Sequence, residues 1–89
     1  MGRKYGEEFY KTRQSLGLVQ KDISRVLGYK NPQFVSNVER GIGYFPIEQL
    51  RKLHAEFSFP ISRLAKIHVQ EILDKKRAEY KLTFPRETI

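Results

Sequence analysis

Residues 20–41 read QKDISRVLGYKNPQFVSNVERG, two short amphipathic segments separated by a turn. Over about residues 20–28, Ile23, Val26 and Leu27 project to one side at helical spacing, and Lys21 and Arg25 to the other. Gly28 stands where a left-handed C-terminal cap favours a residue without Cβ. After Tyr29-Lys30-Asn31, Asn31 is a good N-cap, and Pro32 suits a first helical position, where its missing N–H would have no partner anyway. Gly41 follows the last helical residue. At about 100° per residue, Phe34, Val35, Val38 and Glu39 fall on one half of this second helix. Gln33, Ser36, Asn37 and Arg40 fall on the other. The pattern is a helix, a turn, and a helix whose outer face is polar.

The flanking sequence continues the helical spacing, and no run of strict alternation suggests a sheet. A first helix is expected over about residues 6–16, with Tyr5, Phe9 and Leu16 on one face and Gly17 ending it. After an uncharged loop, residues 41–45, Pro46 opens a fourth helix with Ile47, Leu50, Leu53 and Phe57 as its buried stripe. Pro60 breaks the chain, and a fifth helix runs over about 61–82, some 20 residues or roughly 30 Å. One stripe on it, Ile61, Leu64, Ile67, Ile72 and Ala78, can cover a core. A second, Val69, Leu73 and Tyr80, has no obvious partner within the chain and is expected to meet another copy. The tail, residues 83–89, has no helical reason to be ordered. The expectation is an all-α fold: one domain over 1–82, five helices around one core.

The chain has 89 residues, too few for a doubly wound sheet or a barrel. Lys plus Arg is 17 against 10 for Asp plus Glu, a net charge of +7. Residues 1–30 carry +4 and residues 60–82 carry +3, while residues 31–59 are neutral. Such a surplus points to a polyanion, nucleic acid or an anionic membrane surface. No cysteine is present, so disulfides and thiolate metal sites are excluded. The longest uncharged run, residues 31–38, is far below the roughly 18 residues of a spanning helix. The N-terminus has no apolar stretch behind its basic residues, and Gly6 stands where a myristoylation start wants Ser or Thr. A cytoplasmic protein without membrane contact is expected.

The residues also carry a resemblance. Arg13, the run Gly17-Leu18-Val19-Gln20, Leu27-Gly28, Val35, Val38, Glu39-Arg40-Gly41 and then Leu50, Leu53, Phe57 and Leu64 occur in this order. Over residues 9–64 the chain resembles the Cro/C1-type (XRE-like) helix-turn-helix domain of phage repressors, bacterial regulators and some antitoxins. The resemblance implies a lambda-repressor-like fold, here with an extended C-terminal helix. It also implies that Gln33 and Asn37 read bases with Ser36 beside them, and that Gln20 anchors a phosphate at a helix N-terminus. Arg40 would lie near the DNA backbone, with Lys30 and Asn31 at the phosphates, and Arg13 and Glu39 would form a partly buried ion pair. The chain departs from the pattern in a turn one residue longer, in Val19 where Ser or Thr usually caps, in Ser24 for a usual Ala, in Phe45 for a frequent Pro, and in His54 at a usually small position.

Positive flanks around a neutral reading segment suit phosphates on the rim and amides at the bases, since Gln and Asn offer a donor and an acceptor together. His54 and His68 lie on apolar helix sides without ligand spacing, so neither a metal nor a cofactor is expected. No spacing pairs a nucleophile with a base, so no enzyme is expected. Five scattered tyrosines form no stacking platform for single strands. The expected function is a homodimeric regulator, a repressor of transcription, that lays residues 32–40 in the major groove of a two-fold symmetric operator. Two other readings keep the helices and change the partner. One is an antitoxin-like protein bound mainly to a toxin or a polymerase subunit; the other is a helical interaction module that binds no DNA.

Overall fold

Chain reversals fall at the glycines and prolines that punctuate the sequence, and the segments between them are helices. The computed structural model describes residues 2–83. Among the described residues there are five helices and no strand: α1 (Arg3–Ser15), α2 (Gln20–Leu27), α3 (Gln33–Glu39), α4 (Ile47–Phe57) and α5 (Ser62–Thr83). Of the expected tail, residues 84–89 lie outside the described residues.

The start of α1 differs from the sequence expectation. The helix begins at Arg3, so Gly6 lies inside it. Glycine in a helix interior costs about 1 kcal/mol against alanine, which made Gly6 read as a boundary. Its reason is tertiary. A Cβ built on Gly6 would stand 2.4 Å from the Val38 carbonyl oxygen and 2.8 Å from that of Glu39, so α1 crosses the end of α3 backbone against backbone. Leu16, expected on the buried face of α1, stands past its last turn and is exposed.

Val19 has no side-chain acceptor to cap α2, and the Asp22 carboxylate does the work from the other end, accepting the Val19 N–H at 2.9 Å. Gly28 ends α2 with φ 82°, which lets the Tyr29 N–H return to the Ser24 carbonyl at 2.9 Å. Helix α3 begins one residue later than the sequence suggests, at Gln33. Asn31 still caps it, its Oδ1 accepting the Gln33 N–H at 3.0 Å.

The core takes Tyr5 and Phe9 from α1, Ile23 and Leu27 from α2, Val35 and Val38 from α3, Leu50 and Leu53 from α4 and Leu64 from α5. Two further members come from connections, Phe45 and Phe59, whose rings lie 4.8 Å and 5.0 Å from that of Phe9. Each fully buried phenylalanine contributes about 2–3 kcal/mol. Ile47, expected in the stripe of α4, is exposed at its first turn instead. Burial pushes the Tyr5 phenol up to about 12, and its oxygen accepts the Phe45 N–H at 3.3 Å.

Along its first half, helix α5 is tied to the rest by packing, stacking and hydrogen bonds. Leu64 is buried, with Ile61 and Ile67 packed beside it. His68 stacks on Tyr44 with centroids 3.7 Å apart, and Glu71 accepts from the Lys4 N–H at 3.3 Å and the Tyr44 hydroxyl at 3.1 Å. Beyond Glu71, Ile72 and Ala78 were expected to cover the core, yet both are exposed, because the helix has run past it. The described residues extend 49 Å along this direction against 22 Å and 21 Å across. Among them no helix is long and apolar enough to cross a membrane.

Gly6→Ala should therefore lower thermal stability although alanine is the better helix former, by about 1–3 kcal/mol for an overpacked crossing. Thermal denaturation followed by circular dichroism measures this. A melting temperature equal to or above that of the native chain would contradict the backbone contact.

Candidate nucleic-acid interface

The orientation of α3 is set from its buried side. Arg13 and Glu39 are both nine-tenths buried, and Arg13 Nε donates to Glu39 Oε2 at 2.6 Å. A second guanidinium nitrogen reaches Glu39 Oε1 at 3.1 Å, and the third donates to the Leu18 carbonyl at 2.9 Å. The planar fork of arginine matches both carboxylate oxygens and keeps a donor for the loop before α2. Glu39 Oε1 also accepts Gln20 Nε2 at 2.9 Å. Gln20 was expected at a phosphate; its amide is instead turned inward, completing the shell of a buried carboxylate.

With Val35 and Val38 buried, the opposite side of α3 faces outward. There Gln33 Nε2 donates to Asn37 Oδ1 at 2.9 Å, and Arg40 donates to the same oxygen at 2.5 Å. The three side chains form one connected row. Asn37 Oδ1 accepts both bonds, which leaves the Asn37 NH2, the Gln33 amide oxygen and one Gln33 N–H outside the row's own hydrogen bonds. Ser36 sits half-buried next to the row.

Beside the row, Lys21, Arg25, Lys30 and Asn31 border a groove between α2 and the turn into α3. Arg25 is paired with Asp22 at 2.9 Å. The turn is fastened through Tyr29: its ring stacks on Phe34 at 5.0 Å, and its hydroxyl accepts Gln49 Nε2 from α4 at 2.7 Å. Lys21 and the Tyr29–Gln49 bond escaped the sequence reading. Lys21 sits on a polar helix face like any solvated lysine, and the bond joins residues 20 apart.

The candidate dimer residues lie elsewhere. Val69, Leu73 and Tyr80 are 57%, 45% and 51% exposed, on the side of α5 turned away from the core. Neither histidine joins the α3 face: His54 Nδ1 lies 3.0 Å from the Phe59 carbonyl oxygen, and His68 is in its stack on Tyr44. Compared with family models, with curated proteins and with solved structures, the chain finds no match.

Removing Arg13 strands a buried carboxylate. Arg13→Ala should cost about 3–5 kcal/mol, whereas Arg25→Ala, which breaks an exposed pair, should cost about 1 kcal/mol or less. Urea denaturation of both variants checks the difference. Equal small losses would mean that the Arg13–Glu39 pair is solvated.

Proposed function

We propose that this chain is a sequence-specific double-stranded DNA-binding regulator of Cro/C1 type, which places α3 in the major groove and acts by occupying its operator. The observation that carries the reading is the division of α3. Val35 and Val38 are buried, Glu39 is locked to Arg13, and Gln33, Asn37 and Arg40 stand outward in one row beside a basic groove. A helix presenting amides on a rigid support is what base-edge readout needs, and lysines at its rim suit phosphates. The ordered residues over 9–64 that resemble the family support the same reading.

Within it, α2 and α3 act as the helix-turn-helix unit, and Gln33 lies in the first turn of the reading helix, which enters the groove most deeply. Gln33, with a free acceptor and a free donor, suits adenine N6 and N7. Asn37, presenting only donors, suits an acceptor edge such as guanine N7 and O6 or thymine O4. Ser36 lies alongside, and Arg40, Lys30 and Asn31 approach the backbone. Gln20 contributes by holding Glu39. Binding at a site of this kind represses by excluding polymerase, with no effector domain required.

The exposed Val69 and Leu73 on α5 support a homodimer, which would bind two half-sites about one helical turn, roughly 34 Å, apart. The same exposed face favours a second reading in one respect, since it could take an antitoxin's protein partner instead of a second copy. Leu73→Asp should give a folded monomer with at least tenfold weaker operator binding. Sedimentation showing the native chain monomeric at tens of micromolar would remove the dimer.

Selection of bound sites from random duplex DNA tests the function, and a two-fold symmetric consensus is expected. On the selected duplex, Gln33→Ala and Asn37→Ala should each cost about 1–3 kcal/mol and relax the preference at one or two base positions. Arg40→Ala should weaken binding to all sequences alike, though its hydrogen bond to Asn37 makes a small loss of preference there expected as well. Unchanged base preferences in both amide variants would place readout on another face, and failure to enrich any sequence would overturn the proposal.

A further inference from the structure

We propose that the groove between α2 and the following turn is the seat of one DNA backbone phosphate, gripped by Lys21 and Lys30; this rests on the DNA-binding reading and adds Lys21 to the surface it uses. Two observations carry it. Lys21 and Lys30 border the same groove, and among the described residues neither pairs with a carboxylate. The nearby Asp22 carboxylate is paired with Arg25, which offsets its charge, and its other oxygen accepts the Val19 N–H.

Two ammonium groups suit a phosphate, which they meet as point charges without the planar match an arginine fork makes. The groove also has a firm wall. Tyr29 in the turn is stacked on Phe34 and bonded to Gln49, so the chain carrying Lys30 is fastened to α3 and α4 at once. The seat adjoins the first turn of α3, so a duplex whose bases meet Gln33 brings its own backbone there. That adjacency favours a duplex phosphate over a free anion. The longer turn thereby becomes a contact rather than an irregularity.

The test is the salt dependence of binding to the duplex selected from the random pool. It uses the native chain, Lys21→Gln/Lys30→Gln, and a control with equal charge loss, Lys75→Gln/Lys76→Gln on α5. Losing one phosphate contact should flatten the slope of log K against log salt by about one unit. The groove variant should show this loss, bind all sequences about tenfold more weakly, and keep the native base preference and melting temperature. The control should keep the native slope. Equal flattening in both variants would mean that total charge matters and the groove does not, and a native slope in the groove variant would leave no phosphate there; either result overturns the seat while sequence-selective binding by the native chain stands. Adding 10 mM inorganic phosphate should leave native binding unchanged at matched ionic strength, whereas selective competition would assign the groove to a free anion and overturn the duplex contact. If the native chain selects no sequence, the DNA-binding reading itself fails, and the seat with it.

Discussion

One buried carboxylate organises the part of the molecule that matters most. Glu39 closes α3, and its two oxygens take bonds from Arg13 on α1 and from Gln20 at the start of α2, while a further Arg13 N–H donates to the carbonyl of Leu18. Three segments distant in sequence therefore converge on one side chain. Desolvating both ions offsets much of their attraction, so the pair adds little net stability over an apolar substitute. What it supplies is geometry, because the planar guanidinium donates to both carboxylate oxygens in one orientation. The backbone contact at Gly6 belongs to the same constraint, since a side chain there would push α1 from α3 and separate the ions.

A helix of seven residues would not persist alone in water. Helix α3 persists because Val35 and Val38 are buried, Asn31 caps its start and Glu39 anchors its end. Stability thus comes from one side, and the other is free to carry polar groups chosen for contact. The proposed function uses that freedom. Gln33, Asn37 and Arg40 hold one another in place, so less side-chain freedom is lost when a partner arrives. Tyr29 supports the same helix from its beginning by reaching α4 through Gln49.

Elements whose cause is local were legible in the sequence. Ile23, Leu27, Val35 and Val38 keep the helical period, Gly28 terminates α2, and Asn31 with Pro32 marks the start of α3. What depends on distant neighbours was not legible. Gly6 looks like a helix breaker until the carbonyls of Val38 and Glu39 are seen against it. Phe45 and Phe59 lie in connections, where no period distinguishes a core aromatic from an exposed one. Ile72 and Ala78 keep the period of α5 beyond the point where the domain ends beneath it. At the candidate site, spacing indicated the outward direction of Gln33, Asn37 and Arg40 but not the hydrogen bonds that join them. For Gln20, spacing could not show the bond to Glu39, because a polar residue at a helix start suits an anion equally well whether that anion is a phosphate or the chain's own Glu39.

Side-chain amide resonances in a ¹⁵N NMR titration with the selected duplex report whether the polar row on α3 is the surface that meets DNA. Gln33 and Asn37 should shift first and furthest, together with the backbone amides of Lys30 and Ser36, while the side-chain amides of Gln14 and Gln70 stay in place. Shifts confined to the exposed residues of α5, with Gln33 and Asn37 unmoved, would contradict the account.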